Sequence, residues 1–285
     1  MWLIYALSAA LCFGLRAILY QISSQKPLDR NLMLLGVFTL GAIVTFTANF
    51  FVMQPWNSGA LIGVFMGISS YLANSSLYKG FAVGKPSLVA IFTALPPAVV
   101  LIVAYILWNE TINHAQISSF VLIMLGILII RYTNDLTLSD LKGIQWAVIA
   151  MLAFAITDLS SKQSQLLGGG VLPTLSLMFI TGTVLFFFSW WRQRELVNRS
   201  SVKMWSARRT FLWGMIVGTT HVSGMILVLP AFKLGATGLV SAVLAANVLL
   251  FLLFSRFYLK EQFTRLQLLG ISLAFIGVML LRLLE

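Results

Sequence analysis

Arg16 stands inside LCFGLRAILYQIS (11–23), in an apolar run that carries no other formal charge between Trp2 and Lys26. A guanidinium there offers fixed positive charge and a planar fork of donors, a match for a carboxylate or a phosphate. Tyr20 follows one helical turn later. Polar groups recur inside other apolar stretches: Ser70, Tyr71 and Asn74, then Asp158 with Lys162 four residues on, then His221, then Asn247. Arg16, Tyr20, Ser70, Tyr71, Asn74, His221 and Asn247 are therefore expected to line a substrate cavity. Asp158 and His221 are the candidates for carrying a proton, because ionisable groups in an apolar medium are costly and an imidazole titrates near neutrality.

Each of these residues also has a purely structural reading. Arg16 can snorkel to nearby headgroups along its apolar stem. Asp158 and Lys162 form an i, i+4 pair in the favourable acid-first order and can neutralise each other. His221 can be a neutral, hydrogen-bonded packing residue. Pro96-Pro97 interrupts its segment near the centre and is expected to kink it, with freed carbonyls facing either a cavity or a neighbouring helix.

The elements that hold these residues are set by composition. A mean hydropathy of +0.94, 59% hydrophobic residues and only 9% charged residues exclude a soluble globular domain, where about a quarter of residues are charged. Ten apolar stretches are each long enough to cross a hydrocarbon core of about 30 Å as a helix. They run approximately over 2–22, 31–54, 59–80, 86–108, 114–131, 143–164, 171–191, 209–230, 237–259 and 264–283. The fold class is thus an all-α integral membrane protein with ten spans. The first span lacks a basic leader or a cleavage pattern and reads as a retained helix. One cysteine, Cys12, excludes an internal disulfide.

The net charge of +11 is a statement about sidedness. If the helices alternate, fifteen of the lysines and arginines fall at one face and three at the other, with Arg16 inside. Short basic loops stay in the cytoplasm, which places both termini outside. Anionic lipid headgroups account for the basic face, and no nucleic-acid partner is required.

The halves repeat. Residues 77–131 align without gaps on 228–282, pairing Gly84 with Gly235, Glu110 with Glu261, Gln116 with Gln267, Gly126 with Gly277 and Arg131 with Arg282. Each half, 1–135 and 136–285, then holds five spans, and the odd number inverts the second half in the membrane, the architecture on which alternating access is commonly built. Inversion also separates the two buried charges. Arg16 and Asp158 come to lie on opposite sides of the midplane, about 12 Å apart in depth at 1.5 Å per residue, so a direct ion pair between them is not expected. Glu110 and Glu261 sit at helix ends and read as structural, engaging helix termini or loops.

Phe13-Gly14, the segment FAVGKPSLVAIFTALPPAVVLIVAYILWNE (81–110) and its partner FKLGATGLVSAVLAANVLLFLLFSRFYLKE (232–261) together resemble the ten-helix, EamA-type branch of the drug/metabolite transporter superfamily. The resemblance implies a secondary transporter. Its members move amino acids, nucleosides, sugars, quaternary amines, drugs or lipid-linked sugars, frequently outward. One feature departs from the branch: the loop QPWN (54–57) between spans 2 and 3 carries no positive charge, whereas many members place their basic loop there and their termini inside.

The expectation is a multi-pass protein of a bacterial cytoplasmic membrane, monomeric or homodimeric, that exports a small polar metabolite, amino acid-like and zwitterionic or anionic, or a drug, by alternating access, with no cofactor or metal. The rival classes are a flippase for a lipid-linked substrate, a channel and a structural subunit. An enzyme is disfavoured, since no HExxH, GxSxG or close pair of carboxylates occurs.

Overall fold

The structure, a computed structural model, describes residues 1–83, 86–131, 143–198, 204–258 and 264–283. Among these residues there are twelve helices: α1 (Trp2–Ser24), α2 (Arg30–Val52), α3 (Ser58–Val83), α4 (Pro86–Phe92), α5 (Pro96–Trp108), α6 (His114–Arg131), α7 (Ile144–Leu166), α8 (Val171–Asn198), α9 (Ala207–Leu234), α10 (Thr237–Ala245), α11 (Asn247–Phe257) and α12 (Arg265–Leu283). They build ten membrane-length spans, because α4 with α5 and α10 with α11 are each one span broken in two. The ten stretches read from hydropathy coincide with these spans to within a few residues at each end. The loop 132–140 and Glu261 lie outside the described residues.

The breaks correct the expected kink. Pro96 and Pro97 are the first two residues of α5, with Leu95 as its N-cap, where a missing N–H removes no intrahelical bond. The prolines start a helix instead of bending one. The second break falls at Ala246, between α10 and α11, 151 residues after Leu95 and thus at the aligned position. No proline is needed there.

Helix starts are fixed locally. Asp29 caps α2 by accepting from the Asn31 and Leu32 amides at 2.9 and 3.2 Å. Asn113 and Gln116 exchange reciprocal backbone bonds at the start of α6 (2.8 and 3.1 Å), and Thr264 and Gln267 repeat the device at α12 (3.2 and 3.0 Å). The paired glutamines 116 and 267 of the sequence repeat are therefore the returning arms of two capping boxes.

The spans pack through small residues, as expected where lipid removes the hydrophobic drive for association. A Cβ on Gly36 of α2 would overlap the Phe211 carbonyl of α9, and one on Gly214 would overlap that of Met33. The neighbour relations occur in matched sets: α1 lies on α9 as α7 lies on α3, α2 lies on α9 as α8 lies on α3, and α6 pairs with α12. Large apolar side chains such as Phe46, Phe50, Ile106 and Phe257 project outward.

Candidate functional site

A cavity of about 740 Å³ opens at one end of the bundle, within the range of small-molecule sites. Its walls come from helix faces at regular spacing. Ala17, Tyr20, Gln21 and Ser24 are i, i+3, i+4 and i+7 on α1; Leu77, Tyr78 and Phe81 follow on α3; Asn247, Val248, Phe251 and Leu252 face it from α11. Three cations complete it at helix ends: Lys26 after α1, Arg30 at the start of α2 and Arg131 at the end of α6. Among the described residues no aspartate or glutamate lines it.

Each cation is held by something other than a carboxylate. The Lys26 ammonium lies 5.1 and 5.7 Å from the ring centres of Trp205 and Trp213, and the Arg30 guanidinium lies 5.2 Å from that of Tyr78, cation–π contacts that leave the charge uncompensated. Arg131 donates from Nη1 to the Ala90 carbonyl (2.8 Å) and to Thr93 Oγ1 (3.0 Å). It thereby satisfies a carbonyl near the break between α4 and α5. Its Nε is buried with no partner among the described residues. The chain returning from α8 borders the mouth, where Met204 lines the cavity and the Trp205 amide donates to the Pro27 carbonyl at 2.7 Å.

Of the residues expected to line a cavity, Tyr20 and Asn247 do. Arg16 sits behind Tyr20. Its guanidinium lies 4.6 Å from the centre of Phe13 and 5.7 Å from that of Tyr20, and Nη1 is 2.5 Å from His221 Nδ1. A guanidinium only donates, so Nδ1 is the acceptor and the ring proton belongs on Nε2. The imidazole is 4% exposed and enclosed by Phe13, Phe38 and Phe179 at centroid distances of 6.2, 5.6 and 5.4 Å. Arg16 thus does not snorkel and is not among the residues lining this cavity; it ties α1 to α9.

Ser70, Tyr71 and Asn74 lie one to two turns away from the cavity face of α3, where that helix packs on α7 and α8. Asn74 donates to the Ser70 carbonyl (2.8 Å), and Tyr71 shares a hydrogen bond with Ser189 (2.6 Å) while its ring meets Phe186. Tyr71 thus joins α3 to α8, the Asn74 bond stays within α3, and none of the three is among the residues lining the cavity.

The expected Asp158–Lys162 pair is not formed. Asp158 accepts from Ser241 of α10 at 2.5 Å. Lys162, one turn nearer the helix end, makes an ion pair with Glu110 at 2.8 Å and donates to the Gly235 carbonyl at 3.2 Å. Asn109 adopts a left-handed conformation that ends α5 and turns the chain into Glu110. Glu110 then accepts from the backbone and hydroxyl of Thr237, at 2.7 and 2.9 Å, capping α10. The carboxylate meets the positive end of a helix dipole as well as an ammonium. This cluster lies at the end of the bundle opposite the cavity. The same end is joined by Asn57 to Gly168, Gln54 to Leu172 and Trp108 to Gln163.

Lys26, Arg30, Arg131, Tyr78 and Gln21 are not among the residues that the sequence points to as cavity-lining, and Arg131 stands out there only as the partner of Arg282 in the repeat. The cations read as loop charges, and Tyr78 sits close to its span end. The available signal was helical spacing from Ala17 and Tyr20, which reaches Gln21 and Ser24.

The EamA-like transporter family matches residues 1–132 and 141–283. Among solved structures, one described only as a crystal structure of a protein superposes with a TM-score of 0.77, covering 99% of this chain and 96% of that one at 13% identity. At that identity the likeness is one of fold alone. No curated protein matches in sequence.

Proposed function

The chain belongs to the EamA-like transporter family, and on that premise we propose that it is a secondary transporter that exports a small anionic or zwitterionic metabolite or drug across the cytoplasmic membrane of a bacterium by alternating access. The observation that carries this reading is a cavity lined by Lys26, Arg30 and Arg131, with no carboxylate among the described residues, open at one end of the bundle. Fixed cations in a restricted space favour negative cargo and disfavour amines.

Alternating access draws support from the packing. Two broken spans face each other as α5 and α10, their breaks 151 residues apart, and matched neighbour relations are what two inverted five-helix repeats, 1–135 and 136–285, would give. Such repeats allow two mirror-related states of similar energy. The end that is open carries the basic loops, which the charge rule assigns to the cytoplasm. Loading from the cytoplasm is the first step of export. Asp158, held by a serine hydroxyl and not by a cation, is the better candidate for a coupling proton. His221 is the poorer one, because a proton on Nδ1 would face the Arg16 guanidinium.

The test is a thermal-stability screen of the purified protein against amino acids, nucleosides, sugars, organic acids and amines, since cargo that binds the folded state raises the melting temperature by mass action. Acids and zwitterions should stabilise and amines should not. Stabilisation by amines alone would overturn the reading. Orientation is checked on cells with Cys12 replaced: a cysteine at Met204 should react with an impermeant thiol reagent only after the cytoplasmic face is exposed.

A further inference from the structure

Deepening the proposed function, and resting on it, we infer that the cargo is an amphipathic organic dianion, an apolar body carrying a doubly charged acid group such as a phosphate monoester or a dicarboxylate. Three features of the cavity lead there. The first is charge: Lys26, Arg30 and Arg131 line one cavity with no acidic residue in its walls, and none of the three has a carboxylate partner among the described residues. Against the three formal charges of Lys26, Arg30 and Arg131 a monoanion would leave two uncompensated, whereas a dianion leaves one.

The second feature is size and apolarity. About 740 Å³ is several times the volume of a small amino acid, and ligand sites generally enclose most of what they bind. Met33, Leu77, Phe81, Val248, Phe251 and Leu252 supply apolar wall on α2, α3 and α11. A small hydrophilic anion would leave that wall against water, whereas an aromatic or aliphatic body would cover it at about 25 cal/mol per Å² removed from water.

The third feature is where donors stand unused. Tyr20, Tyr78, Gln21 and Asn247 line the cavity, and their hydroxyls and side-chain amides have no hydrogen-bond partner among the described residues. The cations occupy helix ends at the mouth, while Tyr20 and Asn247 lie deeper, a helical turn in from the end of α1 and at the central break of its span. This order seats the acid group toward the mouth and the body inward, with a polar atom of the body in reach of the deep donors.

The experiment is isothermal calorimetry on the purified full chain with a series that holds the body constant: phenyl phosphate, benzoate and benzylamine, with inorganic phosphate and glutamate as the acid groups without the body. Phenyl phosphate should bind at least tenfold more tightly than benzoate, inorganic phosphate or glutamate, and benzylamine should not bind. Arg30→Gln and Lys26→Gln should each weaken phenyl phosphate about tenfold. Phe251→Ala should weaken phenyl phosphate and leave inorganic phosphate unchanged, a readout that a general loss of folding would not produce. Dihexanoyl phosphatidic acid distinguishes the source of the acid group: binding at least as tight as phenyl phosphate supports a lipid cargo of the same chemistry, and much weaker binding supports a soluble one.

Glutamate or inorganic phosphate binding as tightly as phenyl phosphate would overturn this inference and leave the anion-transport reading standing. Preference for benzylamine would overturn both.

Discussion

Lys162→Met is the perturbation with the clearest expected outcome. Lys162 and Glu110 are 2.8 Å apart with side chains 10% and 18% exposed, and Lys162 also donates to the Gly235 carbonyl. Removing one partner of a buried pair costs about 3–5 kcal/mol because the other charge is left in a poor solvent. Here Glu110 keeps both donors of Thr237, which places the cost at the lower end, about 3 kcal/mol. Glu110→Gln should cost a similar amount, since its loss leaves the ammonium with a single carbonyl. The two changes share one interaction, so the double variant Lys162→Met/Glu110→Gln should lose less than their sum by about 1.5–3 kcal/mol.

The functional consequence follows from position. The pair and the α10 cap lie at the closed end, so weakening them by about 3 kcal/mol should raise the population open at that end about a hundredfold. The assay places a cysteine at Val248, a cavity wall residue, in a Cys12-free background and offers an impermeant thiol reagent from the face opposite the cavity. The parent should be labelled slowly, Lys162→Met much faster, and added cargo should alter the rate. Additive stability losses combined with unchanged labelling would refute the reasoning, because the pair would then be neither a coupled interaction nor a latch.

Three further outcomes are expected. Arg16→Gln removes the donor from His221 inside a ring of phenylalanines and should lower stability by about 1.5–3 kcal/mol; in a chemical-denaturation series, His221→Phe should remove most of that penalty, and a full penalty in both backgrounds would show that Arg16 acts elsewhere. Asp158→Asn should abolish dependence of transport on a pH gradient while leaving substrate exchange across proteoliposomes, and retained gradient dependence would move the proton to another group. Burial raises the Asp29 carboxyl above its usual pKa, offset in part by the Leu32 and Asn31 amides. Its sign is therefore that of a raised acid: the folded chain binds the proton more readily, so through this group stability rises as pH falls through the window above an ordinary aspartate. Asp29→Asn keeps a capping oxygen and should remove that slope at little cost, and Asp29→Ala should cost about 1 kcal/mol, both read from melting curves between pH 4 and 7.

The sequence alone determined that the chain spans the membrane ten times, because spanning is a matter of local apolar length and every backbone group of a spanning segment is satisfied within its own helix. It also determined which face is basic and where aligned features recur, as Gln116 and Gln267 illustrate: a capping box closes within four residues and needs no tertiary partner. Partner choice was another matter. Nothing local tells Lys162 to prefer Glu110 over Asp158, or Arg16 to prefer His221, since each choice depends on which helix crosses at that depth, and crossings are set by small residues such as Gly36 and Gly214 meeting from distant parts of the chain. The same holds for the cavity. Arg30 and Arg131 read as headgroup anchors in the sequence because their neighbours there are loop residues; only the packing of α1, α3, α6 and α11 around one space turns helix-end cations into a binding surface and leaves Ser70, Tyr71 and Asn74 outside its walls, with Tyr71 joining α3 to α8.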